Sequence, residues 1–308
     1  MIAGPLSARD HISVCICTLK RREWLAGLLP AVANQLTEGR FTFDVVVVDN
    51  DVDRSSEYVV RRTARASGIR FTYDCEPERN ISLARNRAIR NATGNLLAFI
   101  DDDERPGADW LLLLHRTITA QAANGVLGPV EPEFPESAPA WLRNGRVFRR
   151  RRLPTGARIA SRDARTGNLL VQRSIVEQGE NWFDPAFGRT GGEDTDFFAR
   201  QFARGNVFVW CDEAVVTETI PPERCTVNYH VRRLLRAGTI DGERMRVGTL
   251  RSDGLIVKNA AVFCACAVLT LPALLAPKHL AVRVFQKLAY SGAVVAAYWG
   301  LSILRYRE

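Results

Sequence analysis

Leu96-Leu97-Ala98-Phe99-Ile100-Asp101-Asp102-Asp103-Glu104 passes from five apolar residues directly into four carboxylates. A strand buried on both faces reads as a continuous apolar run, so the stretch predicts an interior strand of a parallel sheet, Leu96 to Asp101. Emptying a buried strand into adjacent acids is costly unless a cation or hydrogen bonds offset the charge. Asp101 and Asp103 alternate on an extended segment and so share one face. Carboxylate oxygens suit Mg²⁺ or Mn²⁺. A solvated acidic start to the helix at Asp109 accounts for the same residues without any ligand.

Outward from this run, β-like apolar segments alternate with segments of helical period. Strands are expected at Ile12 to Thr18, Phe43 to Asp49, Ile69 to Tyr73 and Val126 to Val130, and helices at Arg22 to Gln35, Ser55 to Ala66, Ser82 to Asn91 and Ala108 to Ala123. This is the pattern of an α/β fold, a Rossmann-like sheet with helices on both faces and right-handed crossovers. Ligands of such sheets bind beyond the carboxyl ends of the strands. Three of those ends are polar here: Cys17-Thr18 followed by Lys20 and Arg21, Asp49-Asn50-Asp51, and the acidic cluster.

Pro129 to Pro139 breaks the periodicity. Arg143 to Arg152, in which six of ten residues are arginine, reads as a connector or mobile loop. Strand-like Asn168 to Val171, a Gly-rich turn at Gly188 to Gly192, a helix from Glu193 to Ala203 and a strand at Val207 to Cys211 extend the sheet with some antiparallel pairing. Gly191-Gly192-Glu193-Asp194-Thr195-Asp196 is a second acidic group. Its glycines allow close approach of a ligand, and a carboxylate there could deprotonate a hydroxyl; an ordinary acidic helix start explains it equally well. Arg85, one helix upstream of the acids, suits phosphate contacts or an ion pair with Asp103 or Glu104.

The tail changes character. Ala260 to Ala276 carries no charge over 17 residues and Ala289 to Leu304 none over 16, with Lys278, Arg283 and Lys287 between. Each run is short for a spanning helix, and Pro272 interrupts the first. A spanning pair, an in-plane hairpin and a buried hairpin all remain open, and membrane contact through 256–304 is the favoured expectation. The organisation expected is a catalytic domain over 1–245 and a membrane-associating C-terminal hydrophobic helical hairpin over 246–308. A formal charge of +8 favours anionic partners, and no aromatic platform or nucleic-acid motif points to RNA or DNA. Seven cysteines without a CxxC pair, and an N-terminus without a signal-peptide pattern, lead us to expect a reducing cytoplasm.

Cys17-Thr18 with Arg21, Val48-Asp49-Asn50, Asn80 with Ala84-Arg85-Asn86, Asp101-Asp102-Asp103, Gly191-Gly192-Glu193-Asp194 and Arg232-Arg233-Leu234-Leu235-Arg236, in that order, resemble the family-2 glycosyltransferases of GT-A fold. Ile100 to Glu104, Leu127 to Val130 and Gly191 to Phe198 are more narrowly similar to the β-1,4-glucosyltransferases of bacterial succinoglycan assembly. The resemblance implies inverting transfer from a UDP-sugar, at the cytoplasmic face of the inner membrane, to a lipid-linked saccharide. It assigns Thr18, Arg21, Asp49, Asp51, Arg85, Asp101 and Asp102 to the donor, Asp103 to the metal, and Asp194 as base with Glu193 orienting the acceptor. Arg232, Arg233 and Arg236 become candidates for the departing diphosphate, or equally a basic face toward phospholipid. One departure stands out: members of that family often place a metal-binding His in the segment that reads Ala214-Val215-Val216-Thr217-Glu218 here, where Thr217 is a poor substitute for imidazole and Glu218 offers an oxygen. A catalytically impaired nucleotide-sugar-binding protein and a nucleotidyltransferase are the alternatives. The second is disfavoured by the absence of glycine in Thr18-Leu19-Lys20-Arg21-Arg22.

Overall fold

The computed structural model describes residues 10–144, 148, 150–176, 182–189, 191–248 and 254–301. In chain order its elements are β1 (Asp10–Thr18), α1 (Arg22–Ala33), β2 (Phe41–Asp49), α2 (Glu57–Ser67), β3 (Phe71–Cys75), α3 (Ile81–Asn91), β4 (Leu96–Phe99), β5 (Glu104–Pro106), α4 (Trp110–Ala120), β6 (Gly125–Leu127), β7 (Val130–Glu133), α5 (Ala140–Asn144), β8 (Leu169–Gln172), α6 (Glu193–Ala203), β9 (Phe208–Trp210), β10 (Val216–Thr219), α7 (Val227–Arg246), α8 (Leu255–Leu274) and α9 (Lys278–Tyr298). They fall into two compact units, Met1–Pro132 with Arg149–Thr219, and Glu133–Phe148 with Ile220–Glu308.

The first unit is built on a sheet of order β3-β2-β1-β4-β8-β6-β9. β1 runs parallel to β2 and β4, β2 to β3, and β6 to β9; β8 is antiparallel to both neighbours, β4 and β6. The mixed sheet expected from the sequence is therefore present. Because successive side chains point to opposite faces, each central strand feeds two cores. Val14, Ile16, Leu96 and Ala98 pack with Leu25, Leu28 and Leu29 of α1 and Trp110 and Leu114 of α4. Cys15, Leu97 and Phe99 pack with Ala84, Ala88 and Ile89 of α3 and Phe197 and Phe198 of α6. Each buried Leu, Ile or Phe contributes roughly 1.5–3 kcal/mol, which is why β4 tolerates no polar residue before its end.

Two expected strands are cut differently. The run Leu96 to Asp101 leaves the sheet after Phe99, and Glu104–Pro106 starts a second, three-stranded sheet of order β5-β10-β7. Val126 to Val130 splits at Gly128-Pro129, where proline has no amide for the ladder, and Val130 begins β7 in the smaller sheet. The stretch read as a connector thus contributes an edge strand. Of the arginine run, Arg150 pairs with Glu218 at 3.8 Å, Arg151 with Asp163 at 3.8 Å and Arg152 with Asp212 at 2.7 Å; residues 145–147 and 149 lie outside the described residues.

In the second unit α7 and α9 pack closely through small residues. A Cβ on Gly238 would come within 2.9 Å of Ala293 Cβ, and one on Gly242 within 2.8 Å of Ala297 Cβ. His230 of α7 lies among the rings of Trp141, Phe148 and Tyr229. Burial, reinforced by Arg233, holds its pKa down at about 4, so the ring is neutral at physiological pH.

Candidate functional site

The ends of β1, β2 and β4 carry the polar groups expected there, and the neighbouring residues set what each carboxylate is free to do. The Thr18 hydroxyl donates to Asp102 Oδ2 at 2.8 Å, and Arg21 Nη1 donates to Asp102 Oδ1 at 2.8 Å and to Asp103 Oδ2 at 3.3 Å. Asp102, 5% exposed, therefore fastens the end of β1 to the acidic turn. Burial raises its pKa against the lowering effect of Arg21 and Thr18. Asp101 is placed differently: it keeps about half of its side-chain surface open (51%). Desolvation pushes its pKa up to about 6, with Arg85 opposing and Asp103 and Asp102 adding to the rise.

At the end of β2, Asp49 is fully buried. Its Oδ2 accepts from the Ser56 amide at 2.8 Å and the Tyr73 hydroxyl at 3.1 Å, while its Oδ1 has no hydrogen-bond partner among the described residues. A buried carboxylate oxygen without a donor is costly, and a ligand N–H or O–H arriving there would satisfy it. Burial raises the Asp49 pKa despite the Ser56 and Tyr73 bonds. Asp51 lies 3.7 Å from Lys20 Nζ across the β1 and β2 ends.

Asn50 and Asn80 shape the surrounding loops. Asn50 Nδ2 donates to the carbonyls of Glu76 (2.9 Å) and Glu78 (2.6 Å), and its Oδ1 accepts from the Asn80 amide at 2.9 Å. Asn80 Oδ1 in turn caps α3 by accepting from Ser82 and Leu83. These anchors hold α3 so that Arg85 projects toward both acidic groups. Its Nη1 meets Glu193 Oε1 at 2.6 Å, its Nη2 lies 3.8 Å from Asp101 Oδ1, and its guanidinium stands 5.3 Å from the Phe183 ring centroid. Burial works against the Arg85 charge, but Glu193 and Asp101 outweigh it and hold the pKa above the ordinary range.

Gly191 and Gly192 adopt φ of +90° and +97°, a left-handed turn that favours glycine, and this aims the start of α6 at Arg85. Glu193 and Asp194 consequently face different surroundings. Glu193 is 8% exposed and turned onto Arg85, whereas Asp194 is more open, its Oδ1 accepting from the Thr195 amide at 2.7 Å. The expected acid cluster, Arg85 and the Glu193-Asp194 pair are thus one connected group, with Arg85 as its bridge. Arg85 pairs with Glu193 and Asp101, not with the Asp103 or Glu104 considered from the sequence. Arg232, Arg233 and Arg236 lie on α7 in the second unit. Tyr73, whose hydroxyl donates to Asp49 Oδ2, closes the expected strand Ile69 to Tyr73, where the strand-end rule points.

Substituting Glu193→Gln tests the bridge. Both side chains of the pair are only about a tenth exposed (10% and 11%), and removing one partner of a buried pair leaves an uncompensated charge. The variant is expected to lose about 3 kcal/mol of stability in denaturant unfolding, the low end of the range because Asp101 still faces the guanidinium.

No group of three or more His, Cys, Asp or Glu poised to hold a cation occurs among the described residues. Thr217 pairs in register with Arg105, and the Thr219 amide donates to the Asp103 carbonyl at 3.0 Å. The oxygen of a carboxylate such as Asp103 suits a divalent cation, and Mg²⁺ usually completes its shell with substrate phosphate and water.

The model of glycosyl transferase family 2 matches residues 13–178. The succinoglycan biosynthesis protein ExoM of Rhizobium meliloti is 34% identical over 278 residues, covering 89% of each chain. The glycosyltransferase AglE of Haloferax volcanii is 29% identical over 56% of this chain and 55% of its own. Among solved structures, the Pyrobaculum calidifontis mannosyltransferase PcManGT in complex with GDP-Man and Mn²⁺ superposes with a TM-score of 0.65 at 19% identity, over 96% of this chain and 88% of that one. Residues 1–349 of S. aureus TarS in complex with UDP give 0.52 at 15% identity, over 96% and 93%.

Proposed function

We propose, from the premise that this chain belongs to glycosyl transferase family 2, that it inverts the anomeric centre of a hexose as it moves it from a UDP-sugar to a lipid-linked saccharide. The acceptor is an intermediate of bacterial exopolysaccharide assembly, and the reaction runs at the cytoplasmic face of the inner membrane. The observation that carries this reading is Arg85, which ties the strand-end acid Asp101 to the start of α6, so that donor and acceptor groups lie on one connected network. The ExoM relative supports the exopolysaccharide setting, and the TarS complex, of the same fold and holding UDP, supports the donor class.

In this reading Asp49 and Asp51 receive the uracil and ribose, and Asp49 Oδ1 accepts the donor hydrogen bond it lacks. Thr18, Arg21 and Asp102 hold the acidic turn in place. Asp101 faces the nucleoside side; Asp103 would hold Mg²⁺ or Mn²⁺ together with the diphosphate, and that ion would supply positive charge against the leaving group. Asp194 takes the proton of the acceptor hydroxyl as that oxygen bonds to the anomeric carbon and the bond to the diphosphate breaks on the opposite face. Glu193 acts by keeping Arg85 in position. Residues 1–245 are assigned to catalysis and 246–308 to membrane contact.

Thermal shift of the full chain tests the donor class. UDP is expected to raise Tm, and more so with Mn²⁺, since a ligand present at a hundred times its Kd contributes about 2.7 kcal/mol. A shift with GDP in place of UDP overturns the uridine assignment, and no shift with any nucleotide overturns the donor site.

A further inference from the structure

Two helices, α8 and α9, are long and apolar enough to cross a bilayer by length and composition. Their packing within the second unit argues against a crossing. α9 lies against α7 over its C-terminal half: Gly238 meets Tyr290 and Ala293, and Gly242 meets Val294 and Ala297, so the two helices run side by side in the same direction. The Tyr290 hydroxyl donates to Asp241 at 2.6 Å in the same interface. Near its other end, Val282 is buried in a cluster with Trp141, Leu142, Ile220 and Cys225. α9 is therefore fastened at both ends to the rest of the unit.

α7 cannot follow α9 into hydrocarbon. It carries Arg232, Arg233, Arg236, Asp241, Glu243, Arg244 and Arg246 along its length. A spanning α9 would also place Lys287 near its midpoint, and a central Lys costs about 2.5–3.5 kcal/mol on insertion scales. α8 in turn lies along α9, where a Cβ on Gly292 would come within 2.8 Å of the Phe263 ring. The outward side of α8 presents Val257, Val268, Leu269, Leu271 and Leu274, and Leu275 beyond its end is 93% exposed.

We infer that the hairpin is monotopic: α8 lies flat in the interface of an anionic phospholipid bilayer, on one leaflet, with α9 as the layer joining it to α7. Charge selects this occupant. Residues 254–301 contain Lys258, Lys278, Arg283 and Lys287 and no Asp or Glu, matching an anionic headgroup layer beside an apolar face. The inference rests on the membrane contact proposed above and decides its geometry.

The test uses the full chain with Leu275→Cys in a Cys264→Ala background, which removes the exposed native thiol. Fractionated cells are expected to hold the protein in the membrane pellet. A membrane-impermeant maleimide is expected to leave the introduced thiol unlabelled in intact cells and to label it after lysis. Labelling from outside in intact cells means the loop between α8 and α9 has crossed, which overturns the monotopic geometry while leaving membrane contact standing. Recovery in the soluble fraction overturns both. Purified full-length protein is also expected to bind preformed vesicles containing phosphatidylglycerol in preference to phosphatidylcholine alone, with Leu271→Glu weakening that binding by about tenfold or more. A detergent-free dimer that shields α8 and ignores vesicles assigns the face to a second copy of the chain and overturns the inference.

Discussion

Asp103→Asn is expected to abolish turnover of the donor sugar, with UDP release falling by about a thousandfold or more and added Mn²⁺ failing to restore it. The expectation is specific because the substitution removes the charge while keeping the side chain's size and shape. Asn retains an oxygen able to accept from Arg21, which lies 3.3 Å from Asp103 Oδ2, and Arg21 keeps its shorter bond to Asp102 at 2.8 Å. The link from the Thr219 amide goes to the Asp103 carbonyl and is indifferent to the side chain. Thermal stability without nucleotide is therefore expected to stay near that of the parent, while the additional Tm rise that Mn²⁺ gives in the presence of UDP disappears. A variant that keeps both its activity and its Mn²⁺-dependent shift moves the cation to another group, with Asp101 and Glu218 next in line. A variant that has lost its fold would reveal itself in the nucleotide-free melting curve.

The site is written unevenly into the sequence. The apolar run from Leu96 to Ile100 marks a buried strand unambiguously because its neighbours on both faces are apolar, and the acids at its end follow from the geometry of an open sheet. The division of labour among those acids is not legible. It depends on Thr18 and Arg21 claiming Asp102 from more than eighty positions away, which no local pattern encodes. The same holds for Arg85 and Glu193, 108 residues apart, whose pairing turns two separate motifs into one network. The small sheet escaped for a different reason. Glu104-Arg105-Pro106 and Val216 to Thr219 are too short and too polar to show alternation, and their pairing is fixed by the surrounding fold instead of their own propensity. Pro129 hid a strand boundary because a proline in an apolar run reads as an interruption, whereas here it is the point at which the chain changes sheets.

Asp194→Asn is expected to separate chemistry from binding. General base catalysis by a positioned carboxylate contributes about 10²–10⁴-fold, so kcat for transfer should fall by that factor while the UDP-induced thermal shift stays as in the parent. Local geometry favours a clean result. Asp194 Oδ1 accepts from the Thr195 amide at 2.7 Å, and the amide oxygen of Asn can do the same, so the start of α6 keeps its hydrogen bond. Glu193 remains on Arg85, and the bridge to Asp101 is untouched. The contrast with Glu193→Gln is the informative part. That change is expected to lower stability, because it strips the buried partner from Arg85, whereas Asp194→Asn is expected to lower rate alone. If Asp194→Asn weakens UDP binding in parallel with transfer, the residue serves the donor, and the base must be sought elsewhere in the network. If the two variants exchange phenotypes, with Glu193→Gln stable but inactive, then the buried member of the pair is the one that meets the acceptor, and α6 must turn to expose it during the reaction.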